Sequence, residues 1–240
     1  MEIEKFEEIL KEYLKEIKIE LDEKQVKQFY TYMNLLIEWN EKINLTAITD
    51  PEEIIIKHFV DSLTIATHIE KNSTLVDMGT GAGFPGIPLK ILREDIKITL
   101  VDSLNKRINF LNEVIKELEL KDIITVHARA EEFGKNKQYR EEFDVATSRA
   151  VANLSTLSEY LIPIVKQTGK IIFMKGSEVK EELENAKNAI NILGGKIEKE
   201  ESFNLPNTDM KRNLIIVNKI KATPAKYPRK PGVPAKEPIK

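Results

Sequence analysis

Four of the chain's ten glycines fall within eight residues, in the run Val76-Asp77-Met78-Gly79-Thr80-Gly81-Ala82-Gly83-Phe84-Pro85-Gly86. An apolar stretch precedes the run and a helical pattern follows from about Pro85. The pattern predicts a strand–loop–helix turn whose backbone N–H groups and helix N-terminus face a ligand above the strand. Adjacent glycines lose conformational entropy without gaining packing, so a turn with no ligand is the weaker account. Gly81-x-Gly83-x-x-Gly86 also satisfies the dinucleotide fingerprint. Two details favour S-adenosylmethionine. Asp77 stands two residues before the first glycine of Gly-x-Gly-x-Gly, and Pro85 removes an N–H that a pyrophosphate would use. The methionine end of that cofactor carries an ammonium and a sulfonium, which a carboxylate suits better than it suits a diphosphate. No P-loop lysine follows, which argues against a nucleotide triphosphatase. The next apolar stretch ends at Asp102, 23 residues after Gly79. A carboxylate there can accept both ribose hydroxyls of either cofactor. Its alternative is an N-cap for a helix from Ser103.

The elements that must position these groups follow from periodicity. Residues 3–17 place Ile3, Phe6, Ile9, Leu10, Tyr13, Leu14 and Ile17 on one helical stripe. A second helix begins after Asp22, with Gln25 three residues on, and a third at Asp50-Pro51-Glu52-Glu53, where a capping carboxylate meets proline at the first helical position. From Ser73 short apolar runs alternate with helical patterns. The candidate strands are 74–78, 96–101, 123–127, 143–147, 170–174, 196–203 and 214–220. This alternation predicts an α/β fold: a mostly parallel seven-stranded sheet covered on both faces, with an antiparallel edge strand. The expected organisation is an N-terminal helical segment over residues 1–70 packed on the catalytic domain, a ligand-binding domain over 71–220, and a basic proline-rich tail over 221–240. Half of the ten prolines lie in that final segment, which reads as extended chain and not as a packed element.

Composition narrows the chemistry. The absence of cysteine excludes disulfides, thiolate zinc sites, iron–sulfur clusters and a cysteine nucleophile. The longest uncharged stretch, Met78 to Leu89, is 12 residues and rich in Gly and Pro, so no bilayer span is expected. With an acidic first decapeptide in place of a signal peptide, the expectation is a cytoplasmic monomer that needs no metal and no membrane. The net charge of −2 conceals an uneven distribution: residues 219–240 carry seven basic side chains and one acid. Lys106, Arg107, Arg140 and Lys166 are further candidates for gripping a polyanion.

The glycine loop and Asp102 occur together with Trp39-Asn40-x-x-x-Asn44-Leu45-Thr46, His58-Phe59-Val60-Asp61-Ser62-Leu63, Arg129-Ala130-Glu131-Glu132, Ser148-Arg149-Ala150, Met174-Lys175-Gly176 and Pro228-Arg229-Lys230-Pro231-Gly232. In these strings the sequence resembles, almost from end to end, the bacterial RsmG (GidB) family of small-subunit (16S) ribosomal RNA guanine-N7 methyltransferases. The resemblance implies a Rossmann-like class I methyltransferase fold, S-adenosylmethionine as cofactor, and 16S ribosomal RNA or the small ribosomal subunit as partner. It implies that Gly79 and Phe84 line the cofactor site, beside the Asp77, Gly81 and Asp102 that the loop's spacing already offers as cofactor-binding residues, that Ala130 and Glu131 meet the adenine end, and that Arg149 closes the site. Arg149 and Lys175, at neighbouring strand ends, are the expected catalytic residues, holding the substrate's phosphates or the guanine O6. An ion pair of Arg149 with Asp144 or Asp102 is the structural alternative, and His58, which could touch RNA or the cofactor pocket, reads first as a packed or capping histidine.

Guanine N7 is an exposed lone pair with no proton to remove, so such a site needs orientation and not a general base. Two other functions use the same loop: an NAD oxidoreductase and a small-molecule methyltransferase. A third reading is a non-catalytic RNA-binding module. Loop chemistry reaches an S-adenosylmethionine-dependent methyltransferase, while the guanine and the ribosomal RNA come from the resemblance.

Overall fold

Apolar side chains at three- and four-residue spacing make the first seventy residues helical in the computed structural model, which describes residues 1–149, 152–177 and 179–240. Helix α1 (Ile3–Glu16) buries Phe6, Leu10 and Leu14. Helix α2 (Glu23–Ile43) starts in a reciprocal capping box: the Gln25 N–H donates to Asp22 Oδ1 at 2.8 Å and the Asp22 N–H to Gln25 Oε1 at 3.0 Å. It stops at Asn44, whose φ of 50° is left-handed. Asp50 caps α3 (Pro51–Ile54). The chain then widens into one π-helical turn, Ile55–Val60, before tightening again into α4 (Asp61–Leu63).

The sheet comprises β1 (Thr74–Met78), β2 (Lys97–Asp102), β3 (Ile123–His127), β4 (Phe143–Arg149), β5 (Val165–Lys175), β6 (Gly195–Asn204) and β7 (Lys211–Lys219), in the order β3-β2-β1-β4-β5-β7-β6. Intervening helices are α5 (Gly86–Leu92), α6 (Asn105–Glu117), α7 (Ala130–Lys135), α8 (Leu154–Leu161) and α9 (Lys180–Leu193), with a short α10 (Val233–Lys236) near the end. The reversed strand is β7, and it lies one place in from the edge. The chain leaves β5 through α9, passes one position over to β6, and the β6–β7 hairpin folds β7 back into the gap, antiparallel to both neighbours.

Each sheet face has its own core. Helices α1, α2, α5 and α6 cover one face, where Phe29, Phe59, Leu75 and Leu100 pack; α7, α8 and α9 cover the other, where Val76, Phe133, Leu157 and Phe173 pack. Side-chain alternation along β1 and β4 therefore sends Asp77 and Arg149 toward the first face.

The segment 221–240 departs from the expectation of loose extended chain. It is strapped across α7, α8 and α9. Arg140 donates to the carbonyls of Tyr227 (2.7 Å) and Thr223 (2.8 Å), Arg229 forks onto the fully buried carboxylate of Glu159 (2.7–3.1 Å), and Thr156 donates to the Pro234 carbonyl at 3.0 Å. Proline-rich backbone has few N–H groups of its own to satisfy, so side chains reaching out to its carbonyls hold it instead. This also removes Arg140 from the candidate phosphate-gripping residues. Lys166 leaves that set too, since it pairs with Asp144 at 2.6 Å near the start of β4, at the sheet end away from the glycine loop.

Candidate active site

The glycine loop crosses the carboxyl ends of β1 and β2. Gly79, Gly81 and Gly83 all have positive φ (70°, 62° and 101°), a conformation that disfavours side chains. The loop differs from expectation in where its N–H groups go. Those of Gly79 and Thr80 donate to the Val101 carbonyl, those of Gly83 and Phe84 to the Thr80 carbonyl, and that of Ile87 to the Gly83 carbonyl. The Gly81 N–H donates to Asp102 Oδ2 (2.9 Å) and the Gly86 N–H to Asp77 Oδ2 (2.9 Å). Pro85 has none. These donors are already engaged within the protein, so they offer an anion no cradle.

The loop instead covers a carboxylate. Asp77 is fully buried; its Oδ2 accepts from Thr80 Oγ1 (2.6 Å) and Gly86 N, while Oδ1 accepts nothing among the described residues. Burial is the main cause that raises its pKa from 3.8 to about 6, opposed by the Thr80 and Gly86 hydrogen bonds and by the charge of Arg149. Gly86 is tight: a Cβ there would stand 2.3 Å from Leu100 Cδ2 and 3.0 Å from Asp77 Oδ2. Gly86→Ala is expected to destabilise the fold by about 1–3 kcal/mol through overpacking, measured as a lower denaturant midpoint.

Above the loop opens a cleft of about 450 Å³, lined by Leu45, Thr46, His58, Gly79 to Ala82, Phe84, Asp102, Ser103, Arg107 and Arg149. Asp102 does not cap α6, whose N-cap position is Leu104 with no side-chain cap. Oδ1 accepts the Leu104 N–H at 2.9 Å just before α6, while Oδ2 faces Gly81 and Arg107 (3.3 Å). A larger groove of about 820 Å³, between α9 and the β6–β7 hairpin, includes no residue of the loop.

Arg149 ends β4 and crosses to the π-helical turn. Its Nη1 donates to the Lys57 carbonyl (2.9 Å) and Asp61 Oδ2 (3.1 Å), its Nη2 to His58 Nδ1 (3.0 Å), and its guanidinium carbon stands 4.9 Å from the Phe84 ring centre. Asp61 also pairs with Arg212 Nε at 2.9 Å. His58 stacks on Phe84 with ring centres 4.4 Å apart at 16°. Burial first, and then the charge of Arg149, lower the His58 pKa to about 3, so the ring is neutral. Arginine only donates, hence Nδ1 is the acceptor and Nε2–H points to Thr46 Oγ1 at 2.9 Å.

The cleft thus unites Gly79, Gly81, Phe84, Asp102 and Arg149, with Asp77 buried under the loop. Ala130 and Glu131 open α7 just after β3, and the Glu131 carboxylate accepts the Gly232 N–H at 2.7 Å. Lys175 lies on the opposite sheet face, its Nζ on Glu182 (2.7 Å) and the Ala152 carbonyl (2.9 Å). Ala150, from the Ser148-Arg149-Ala150 string, is outside the described residues. The Arg149 partner is neither Asp144 nor Asp102 but Asp61, which, like Thr46, carries no signal of this role in its own local sequence. The string beginning at Trp39 gains a structural account: Asn40 Oδ1 accepts the Thr46 N–H at 2.8 Å, shaping the loop that brings Thr46 to the cleft.

A family model, GidB, described as rRNA small subunit methyltransferase G, matches residues 25–215. The chain belongs to the GidB family. Ribosomal RNA small subunit methyltransferase G of Alkaliphilus metalliredigens (strain QYMF) is 51% identical over 234 residues, 97% of this chain and 98% of its own length. The protein of the same name from Acetivibrio thermocellus is 56% identical over 222 residues, 92% of this chain and 91% of its own. Among solved structures, the M. jannaschii TYW2 complex with AdoMet superposes with a TM-score of 0.52 at 17% identity, covering 65% of this chain and 72% of that one. The putative transferase PH0793 of Pyrococcus horikoshii gives 0.54 at 15%, covering 85% and 66%. Both likenesses concern the fold. No helix among the described residues of this GidB member is long and apolar enough to cross a membrane, and none of its described His, Asp and Glu residues form a metal-binding group of three.

Proposed function

We propose that the protein transfers a methyl group from S-adenosylmethionine to N7 of a guanine in small-subunit (16S) ribosomal RNA. The observation that carries the cofactor half is the glycine loop itself: the N–H groups of Gly79, Thr80, Gly81, Gly83, Phe84 and Gly86 are engaged internally while the loop covers a buried carboxylate with an unpartnered oxygen. That pattern suits a cation and not a diphosphate, which favours S-adenosylmethionine over NAD. A side chain at Gly81 would meet nothing within 4 Å, so there is room beside the loop. Family membership supports ribosomal RNA as substrate.

In this reading Asp77 complements the ammonium end, Gly79, Gly81 and Phe84 shape the middle, and Asp102 takes the ribose hydroxyls. The adenine end falls to the β3 side, where Ala130 and Glu131 stand. When bound, S-adenosylmethionine supplies an electrophilic methyl group. The residues that remain must orient the acceptor and exclude water. The His58 imidazole cannot serve as a base, since Nδ1 accepts from Arg149 and Nε2–H faces Thr46. An acceptor such as guanine N7, which has no proton to lose, fits a cleft built this way. Arg149 is held by three acceptors and acts as a positioning residue for Phe84, His58 and the cleft wall. We assign residues 1–70 to a helical cap that contributes Thr46 and His58, and 71–220 to the methyltransferase domain.

Incubation with labelled methyl donor and small ribosomal subunits, followed by strand scission at 7-methylguanine, tests the function. Transfer to a guanine N7 is expected; transfer to another atom, or none, overturns the reading. Affinity for S-adenosylmethionine should fall about tenfold per unit as the pH drops below about 6, because protonation of Asp77 removes the charge that the ammonium needs. Calorimetry between pH 5 and 8 measures this.

A further inference from the structure

The strap 221–240 faces two ways. Its inner side is anchored by Arg229 on Glu159, Gly232 on Glu131 and Pro234 on Thr156, and just before it Lys219 is wholly buried beside Glu141. Its outer side is lysine. Lys221, Lys226, Lys230 and Lys236 are exposed, and none is in an ion pair with a carboxylate among the described residues. The second half of the strap reaches the sheet end where the cleft opens, since Gly232 and Pro234 are held by Glu131 and Thr156 in the first turns of α7 and α8, whereas Thr223 and Tyr227 are held by Arg140 just before the start of β4. Pro228 lies against α7, where a Cβ at Gly134 would stand 3.0 Å from its ring, and this brings the exposed Lys135 and Lys137 to the same side.

The N-terminal helices are opposite in charge to the strap. Residues 1–70 carry sixteen acidic and eight basic side chains, whereas 219–240 carry one acid and seven bases. The helices of 1–70 pack on the first core, and the strap on α7, α8 and α9 over the second. A polyanion approaching the molecule is therefore drawn toward the strap and not toward the outer surface of α1 and α2.

From this we infer that the outward lysines of the strap, Lys226, Lys230 and Lys236 in particular, form the surface on which the phosphate backbone of the RNA substrate docks while the reacting base enters the cleft. The inference rests on the ribosomal RNA reading above. Such contacts position the substrate without reading its sequence, and they release counterions.

The test is charge reversal in the full chain. Lys226→Glu/Lys230→Glu/Lys236→Glu is compared with the wild type and with Lys5→Glu/Lys15→Glu/Lys27→Glu, which reverses three exposed lysines of α1 and α2 and gives the same net charge. Each is assayed for methyl transfer to small subunits, for binding to them across a salt series, and for S-adenosylhomocysteine affinity. The strap variant should raise the KM for RNA on the order of tenfold to a hundredfold and flatten the slope of log affinity against log salt by about two to three. Cofactor affinity should stay unchanged in all three proteins, and the α1–α2 variant should methylate and bind RNA like the wild type. Equal effects of the two reversals, or none from the strap variant, overturn the docking surface. Should the strap glutamates weaken cofactor affinity, the corresponding glutamine variant decides by the same KM and salt criteria. A wild type that methylates no ribosomal RNA overturns the functional reading instead.

Discussion

Arg149→Ala is expected to lower methyl transfer by two to three orders of magnitude, on the order of what one preorganised polar group contributes to an active site. The side chain leaves behind the Lys57 carbonyl, His58 Nδ1 and one oxygen of a nearly buried carboxylate. Breaking such a pair costs about 3–5 kcal/mol when the remaining charge is stranded. Here Asp61 keeps Arg212 at 2.9 Å, so the loss of stability should fall at or below the lower end of that range. The His58 pKa should rise from about 3 but stay below 6.5, because burial, the larger cause, persists. Activity assays, denaturant unfolding and NMR titration of His58 report the three effects separately. Arg149→Lys retains the charge but cannot reach three acceptors in a fixed fork, and it should recover little of the activity. Full activity in either variant removes Arg149 from the site.

Asp77→Asn should cost about tenfold to a hundredfold in S-adenosylmethionine affinity, the range of one buried charge acting on the ammonium from beneath the loop. It should also change how stability depends on pH. The folded pKa of about 6 lies above the ordinary 3.8, so the fold prefers the protonated carboxyl. The stability contributed by this group is fully present below 3.8 and is lost as pH rises through about 6. Asp144, Glu141 and Glu201, whose pKa values are lowered, act in the opposite sense, and so only the difference between wild type and variant isolates Asp77. That difference should shift steadily between pH 4 and 6 and then level off. A flat difference, or unchanged affinity, contradicts the role assigned to Asp77.

The parts of this molecule that were legible in its sequence are the parts set by local pattern. Strands β1 and β3 begin and end where their apolar runs do, and the Asp22–Gln25 and Asp50–Pro51 signals fall at real helix starts. Strand β5 begins five residues earlier than its apolar run, because Val165 pairs with Phe143 across an irregularity and carries the polar residues after it into the sheet. The glycine loop was legible as a site but not in its wiring. Its N–H groups find acceptors on Val101 and Asp102, which arrive from the neighbouring strand. Asp61 meets Arg149 across 88 residues of sequence, and no periodicity encodes that distance. The packing of the strap is illegible for a related reason: its composition describes its own backbone, while Glu159, Arg140 and Thr156, which hold it down, are contributed by other elements.

The π-helical turn at Ile55–Val60 works as a phase shifter. A π turn takes one residue more than an α turn, and each residue of an α-helix advances the chain by about 100°. Deleting one residue there would restore ordinary helix but swing everything before it by about that angle relative to Asp61. Thr46 and α2 would then meet the cleft out of phase with His58. The angular setting of the acidic N-terminal helices against the glycine loop is thus encoded by a single extra amino acid.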